Sequence, residues 1–242
     1  MNLHSDEKII DSWEKNASQW TTAVRSAHIE SRKLVTDKAI VEAVLRHSPE
    51  AVLDIGCGEG WLIRELAPQV SHLVGVDVVS DLIEQAEAGG GGQFLVASYE
   101  AVATGAIEGM FDVVVCNFSL LGKESVEALF SAVPAYLKPG GVFIVQTLHP
   151  VFATDMPYID GWRDGSWAGF GSNFTDPAPW YFRTLESWMT LFLLNGLQIQ
   201  EVREPISPQT HRPVSILFTG ANKPLRFVPG LRPSTGRAKS RR

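Results

Sequence analysis

The chain has 242 residues, of which 45% are hydrophobic and 20% charged, with a formal net charge of −6 at pH 7. This suits one globular α/β domain with room for a lid, and the negative balance argues against a protein that lives on nucleic acid. Two cysteines, Cys57 and Cys116, are too few for a disulfide framework or a metal centre, so both read as reduced, small apolar residues and no metal is expected. No apolar run is long enough to cross a bilayer. The acidic start (Asp6, Glu7, Asp11, Glu14) is unlike a signal peptide, so the expected compartment is cytoplasmic.

Residues 1–47 read as helical, in two or more pieces. Trp13, Ala17 and Trp20 recur near helical spacing, which fits plain core packing or the underside of a lid. Ser31 and Arg32 precede a helix from about Lys33 to Arg46, which Ser48-Pro49 ends. Ala51-Val-Leu-Asp-Ile55 is a buried strand that runs into a loop with alternating Gly56, Gly58 and Gly60, then into a helix from Trp61 to Ala67. Glycine lets the backbone turn sharply and lets a ligand approach main-chain atoms. At the carboxyl end of the first parallel strand, such a loop is where open α/β sheets bind nucleotides. Asp54, in the strand before the loop, is a carboxylate that needs a partner to offset its desolvation.

His72 to Asp77 is the second strand. Asp77 follows Gly60 at the interval expected of a carboxylate that accepts ribose hydroxyls. The alternative is a cap on the helix beginning near Asp81, for which Ser80 is the better candidate. Gly89 to Gly92 reads as a flexible surface turn. Gln93 to Ala97 is the third strand, followed by Ser98 and Tyr99, and Phe111 to Asn117 is the fourth, followed by Phe118. Glu124 to Leu137 is an amphipathic helix kinked at Pro134. Lys138-Pro-Gly-Gly141 is a helix stop and turn before a fifth strand, Val142 to Leu148.

Residues 149–183 hold Trp162, Trp167, Trp180, Tyr181 and further aromatics among glycines and prolines, with no visible helix or strand period. A connection this long is expected to close over a substrate, a bracing satellite core being the alternative. His149, directly past the fifth strand, is a candidate general base or else an anchor for this insertion. Thr184 to Leu194 is a helix, and Leu197 to Glu204 and Val214 to Thr219 are the last two strands, with His211 between them as a weaker base candidate. Lys223 to Arg242 reads as a basic, flexible tail.

Four strings in this order — Asp54-Ile-Gly-Cys-Gly-Glu-Gly60, the strand-end Asp77, Phe111-Asp-Val-Val114 and Leu137-Lys-Pro-Gly-Gly141 — resemble the motifs of class I S-adenosylmethionine (SAM)-dependent methyltransferases. The dinucleotide fingerprint is the rival, but it wants Gly or Ala where Trp61 stands. The resemblance implies an α/β, Rossmann-like, seven-stranded, mostly parallel sheet with an antiparallel last strand and helices on both faces. It also implies an N-terminal helical lid (1–47) and an aromatic-rich insertion after strand five (149–183), within one domain over 1–222.

The implied cofactor is SAM, with S-adenosylhomocysteine (SAH) as product. Asp54, Gly56, Cys57 and Gly58 would form its loop, with Asp77 on the ribose, Val78 against adenine, and Ser98 and Tyr99 at the adenine amino group. Asn117 and Phe118 would face the methyl, Arg32 would pair with the cofactor carboxylate, and Trp20 would cover the site. Ser98 departs from the Asp usual in the family, which shifts that contact toward backbone groups. The proline-bearing tetrapeptide of nucleobase-amine methyltransferases is absent after strand four, which disfavours that chemistry. His149, Trp162, Trp180, Tyr181 and Arg183 are the expected substrate-binding residues, with His149 as the base. The expected reaction is in-line methyl transfer to a small, apolar or aromatic acceptor, O-methylation first, by a monomer or homodimer with no membrane or nucleic-acid partner. RNA or protein methylation, a nicotinamide enzyme and non-catalytic SAM binding are the alternatives.

Overall fold

A computed structural model describes residues 4–152, 157–171 and 173–222; the basic tail expected from Lys223 onward lies outside them. The chain opens with α1 (Asp6–Arg25), capped by Ser5, whose hydroxyl accepts from Lys8 N at 3.3 Å. A π-helical turn (Arg32–Thr36) leads into α2 (Asp37–Leu45), where one uninterrupted helix was expected. There follow β1 (Ala51–Ile55), α3 (Trp61–Leu66), β2 (His72–Asp77), α4 (Ser80–Gly89), β3 (Gln93–Val96), α5 (Tyr99–Ala103), β4 (Phe111–Asn117), α6 (Glu124–Tyr136) and β5 (Leu137–Thr147). Two short strands, β6 (Gly161–Arg163) and β7 (Trp180–Phe182), precede α7 (Leu185–Leu194), β8 (Leu197–Arg203) and β9 (Ile216–Asn222).

Seven strands form one sheet in the order β3-β2-β1-β4-β5-β9-β8. The strands from β3 to β5 run parallel, and β9 runs antiparallel to both its neighbours. All five residues of β1 are buried, as a parallel strand covered on both faces requires. The order reverses between β1 and β4, so their carboxyl ends open a crevice at the topological switch point. Helices pack on both faces. Phe130 of α6 and Phe192 of α7 interlock with Phe143 and Phe218 on one face, while Ile40, Leu62 and Leu66 cover the other. At the opposite edge, the Asp112 carboxylate accepts from Glu50 N, Ala51 N and Lys138 Nζ, joining the starts of β1, β4 and β5.

Three expectations change. Lys138 to Gly141 is not a separate turn: β5 starts at Leu137, opposite Phe111, and resumes at Val142 opposite Val113, so the string bulges out within the strand at Gly140 (φ 82°). The glycine run is loose only in part: Gly90 has open space around it, but a Cβ on Gly92 would lie 2.7 Å from Ile63 Cγ2 and 2.8 Å from the Leu73 carbonyl. The aromatic insertion contains the antiparallel β6–β7 pair, with Trp162 opposite Tyr181, in strands too short for alternation to show. Phe192→Ala should lower unfolding free energy by about 3–5 kcal/mol, read from urea melts, because the ring touches Phe130, Phe143 and Phe218 with centroids 5.1–5.6 Å away.

Candidate cofactor and substrate site

The glycine loop is tied down by its own backbone: Gly56 N and Cys57 N both donate to Val76 O, at 2.7 and 2.9 Å. All three glycines have positive φ (56–78°), which a side chain would strain. Their surroundings differ. A Cβ on Gly56 would lie 2.3 Å from Ser119 Cβ and one on Gly60 2.9 Å from Ala86, whereas the nearest atom to one on Gly58 is Trp20 Nε1 at 3.4 Å. Gly58 is therefore the glycine left open to a ligand. Tyr99 Oη donates to Ser119 O, and Ser119 Oγ donates to Ile55 O, which braces the floor beneath the loop. Cys57 is buried against Gly75, and burial pushes its thiol up, so it is inert packing rather than wall.

Asp77 at the end of β2 clamps two turns. Oδ2 accepts from Gly58 N at 2.9 Å and Oδ1 from Val79 N at 3.0 Å. The capping role assigned to Ser80 is thus corrected: Ser80 is the first residue of α4 and caps nothing, while Asp77 takes the Val79 amide. Burial raises the Asp77 carboxyl above its ordinary range, against the pull of these amides. Asp54 stands one strand away, only 2% exposed, with Oδ1 lacking any hydrogen-bond partner. Burial first, and the Asp77 charge second, push its pKa up to about 8.

A cavity of about 150 Å³ opens over these strand ends, room for roughly ten water-sized positions and so for a ligand. Gly56, Gly58, Asp77, Val78, Ser98, Tyr99, Asn117, Phe118 and Trp20 line it, as does Trp13 from the same stripe as Trp20, together with Asp6, Ile9, Ile10, Glu100, Leu121, Gly122 and Ser125, which were not anticipated. Ile9 and Trp13 continue toward the N-terminus the helical stripe that Trp13, Ala17 and Trp20 had signalled. Ser98 Oγ accepts from Ala101 N as the cap of α5, which leaves its O–H and its backbone for a ligand. Asn117 Oδ1 is buried without a partner, and Phe118 holds a positive φ of 55° beside it. Such backbone strain gathers at ligand sites. Arg32 does not reach the wall: it stacks 5.6 Å from the centre of the Trp20 ring and 4.5 Å from that of Trp61, binds Asp37, and leaves Nη2 buried without a partner.

The cavity roof is α1, and it is joined to the aromatic insertion. Asn16 pairs with the Thr175 backbone in both directions (2.7 and 2.9 Å), and Ser12 Oγ donates to Asp176 O at 2.5 Å. Lys8 and Lys15 both bridge Asp11 and Asp176. Trp13 meets Trp20 and Trp167 edge-on. The Asp6 carboxylate accepts from Lys123 N and Ser125 N at the start of α6. The helix and the insertion, expected as two separate covers, are thus joined to each other.

The residues expected to bind substrate divide. Trp180, Tyr181 and Arg183 line a second, much smaller cavity of about 20 Å³, which shares Leu121 with the first. Arg183 is spent as a brace, donating to Gly122 O (2.9 Å) and Lys123 O (3.1 Å). Trp162 lines neither cavity; it stacks on His4 and pairs with Tyr181. The assignment of His149 as the base is also corrected. It is buried, Nε2 lies 2.7 Å from Glu204 Oε1, Nδ1 accepts from Val151 N, and it lines neither cavity. Both ring nitrogens are committed, as for a His that anchors the insertion. His211 sits on an exposed loop, away from both cavities.

Residues 52–141 match a family described as a methyltransferase domain. The ubiquinone biosynthesis O-methyltransferase of Xylella fastidiosa (strain M23) is 32% identical over 117 residues, 46% of this chain and 46% of that one. The chain thus spans about half the length of this curated relative. An S-adenosylmethionine dependent methyltransferase from Mesorhizobium loti superimposes with a TM-score of 0.58 at 22% identity, covering 75% of this chain and 95% of that one. The glycopeptide N-methyltransferase MtfA, complexed with S-adenosyl-L-methionine, does so with 0.59 at 12%, covering 76% and 86%. At such identities these structures establish the fold. Residues 52–141 thus carry a methyltransferase domain, and the described residues have the fold of SAM-dependent methyltransferases.

Asp54 carries a pH signature. Its folded pKa lies above the unfolded value of 3.8, so its contribution to stability is full below pH 4 and is lost as pH rises through about 8. The stability of Asp54→Asn relative to the native chain should therefore climb between pH 4 and 8 and level off above, measured by urea melts across pH. His149→Ala should cost about 1–3 kcal/mol of stability, the range for a buried group left unpaired, while leaving ligand affinity in the main cavity unchanged by titration calorimetry.

Proposed function

We propose that this chain transfers the methyl group of SAM to a small acceptor with an apolar body. The observation that carries the reading is the cavity itself. It opens at the carboxyl ends of β1, β2 and β4, between the open Gly58 and Asp77, and Asp6, Asp77 and Glu100 line it with no Lys, Arg or His among the described lining residues. Carboxylates without a counter-cation favour a positively charged ligand. Asn117 Oδ1 in this wall and Asp54 Oδ1 in the strand that leads into it, both buried and unpartnered, are the kind of atoms that the amino and hydroxyl groups of a ligand would satisfy.

In this reading Asp77 holds the ribose hydroxyls with the lone pairs that its amide contacts leave free, Val78 lies on the adenine, and backbone groups at Ser98 and Tyr99 meet the adenine amino group. The Asn117 side chain and the backbone at Phe118 face the reacting end. SAM, when bound, supplies a sulfonium methyl that is already electrophilic. The protein's part is to place the acceptor in line and exclude water, which the α1 roof with Trp13 and Trp20 does. Ile9, Ile10, Trp13 and Leu121 suit an apolar acceptor body. Asp6, at the same end, takes the place of His149 as the group that holds an acceptor hydroxyl by a hydrogen bond. An oxygen acceptor is supported by the relative named an O-methyltransferase. A phosphate-rich acceptor such as RNA is opposed by the three wall carboxylates.

Titration calorimetry with SAH tests the reading. Native protein should bind in the micromolar range, and folded Asp77→Ala should bind at least about tenfold more weakly, equivalent to 1.4 kcal/mol. Absence of binding to the native protein, or equal affinity in the variant, would overturn it.

A further inference from the structure

Glu59 lies between Gly58 and Gly60 and is fully buried. A buried carboxylate persists only when paired, and this one has two partners. Arg64, from α3 just past the loop, donates Nη2 to both carboxylate oxygens at 2.7 and 2.8 Å and Nη1 to the Glu59 carbonyl. Arg64 thus satisfies the charge locally, as a side chain three positions beyond Trp61 is placed to do. Arg25 adds a second contact, Nε to Oε2 at 2.8 Å, from the last turn of α1, and donates Nη2 to Gln85 O of α4.

Arg25 comes from the lid, not from the loop. Five residues before it is Trp20, which lines the cavity with Nε1 against Gly58. Consecutive loop positions therefore meet the same end of α1: Gly58 meets Trp20 and Glu59 meets Arg25. Nearer its middle α1 is held through Lys15 and Asp176, which are 46% and 39% exposed, whereas the Arg25–Glu59 pair sets a guanidinium that is 41% exposed on a carboxylate that is fully buried. Exposed pairs of that kind hold weakly.

We propose that Glu59 and Arg25 are a positioning pair: they pin the C-terminal end of α1 to the glycine loop, keep Trp20 over Gly58, and so set how long the cofactor stays bound. The inference rests on the reading of this cavity as the SAM site. Neither residue lines the cavity, so the effect passes through Trp20. Because Arg64 alone neutralises Glu59, loss of Arg25 frees the lid without stranding a buried charge, and Arg25→Gln is the informative variant.

The test is SAH dissociation followed by stopped-flow tryptophan fluorescence, with affinity by calorimetry, on native protein, Arg25→Gln, Arg25→Lys, Glu59→Gln and the double variant. Arg46→Gln, which breaks a surface pair with Glu201 far from the cavity, is the control. Arg25→Gln should release SAH about five- to tenfold faster and weaken affinity by the same factor, with an unchanged melting temperature in the absence of ligand. Arg25→Lys should recover part of the loss, and Arg25→Gln should add nothing in a Glu59→Gln background that folds. Native release rates in Arg25→Gln would overturn the positioning role and leave the proposed function standing. No SAH binding to the native protein would overturn both.

Discussion

The carboxylates at the ends of two adjacent parallel strands, Asp54 on β1 and Asp77 on β2, are the constraint around which the site is arranged. Asp77 is tethered by two amides, Gly58 N and Val79 N, which fixes the glycine loop against the β2–α4 turn. Asp54 has no such partner and is driven toward its protonated form. Two acids so close, in a place from which water is excluded, repel one another and invite a cation. Proteins tolerate an arrangement of this cost where a ligand offsets it.

The lid is the second organising feature. One helix near the N-terminus spans the cavity from the glycine loop to the start of α6, and it makes different contacts at its two ends. Near Arg25 it is pinned to buried charge; near Asp6, Ser12 and Asn16 it is joined by hydrogen bonds to backbone at Lys123, Ser125, Thr175 and Asp176. The aromatic insertion and the helix thus close the same space as one unit, with Trp13, Trp20, Trp167 and Phe170 forming the joint.

Much of the framework was legible because its signals are local. The apolar run before Gly56, the acid that ends β2 and the string Phe111-Asp-Val-Val all lie where strand and loop physics demand them. Buried parallel strands must be apolar throughout, and a loop that a ligand approaches must be glycine. Of the loop and strand ends that these signals mark, Gly56, Gly58 and Asp77 line the cavity. What was misread was long-range. His149 directly follows the fifth strand, where a base was expected, but a partner 55 residues away, Glu204, binds its Nε2. Arg183 looked like a substrate contact and is held by carbonyls at Gly122 and Lys123. Gly92, in the run read as a flexible surface turn, is packed against α3 and β2.

The sequence by itself determined the sheet, its helices and the cofactor end of the cavity, because periodicity, glycine placement and strand-end acids act over a few residues. The tertiary structure alone decided how α1 and the aromatic insertion meet over that cavity. Asp6 reaches α6 across 119 residues, Asn16 reaches Thr175 across 159, and Glu59 chooses Arg25 as well as its neighbour Arg64. Such pairings depend on which surfaces the packed sheet brings together, and a polar residue in a helix or loop carries no local mark of the partner it will meet.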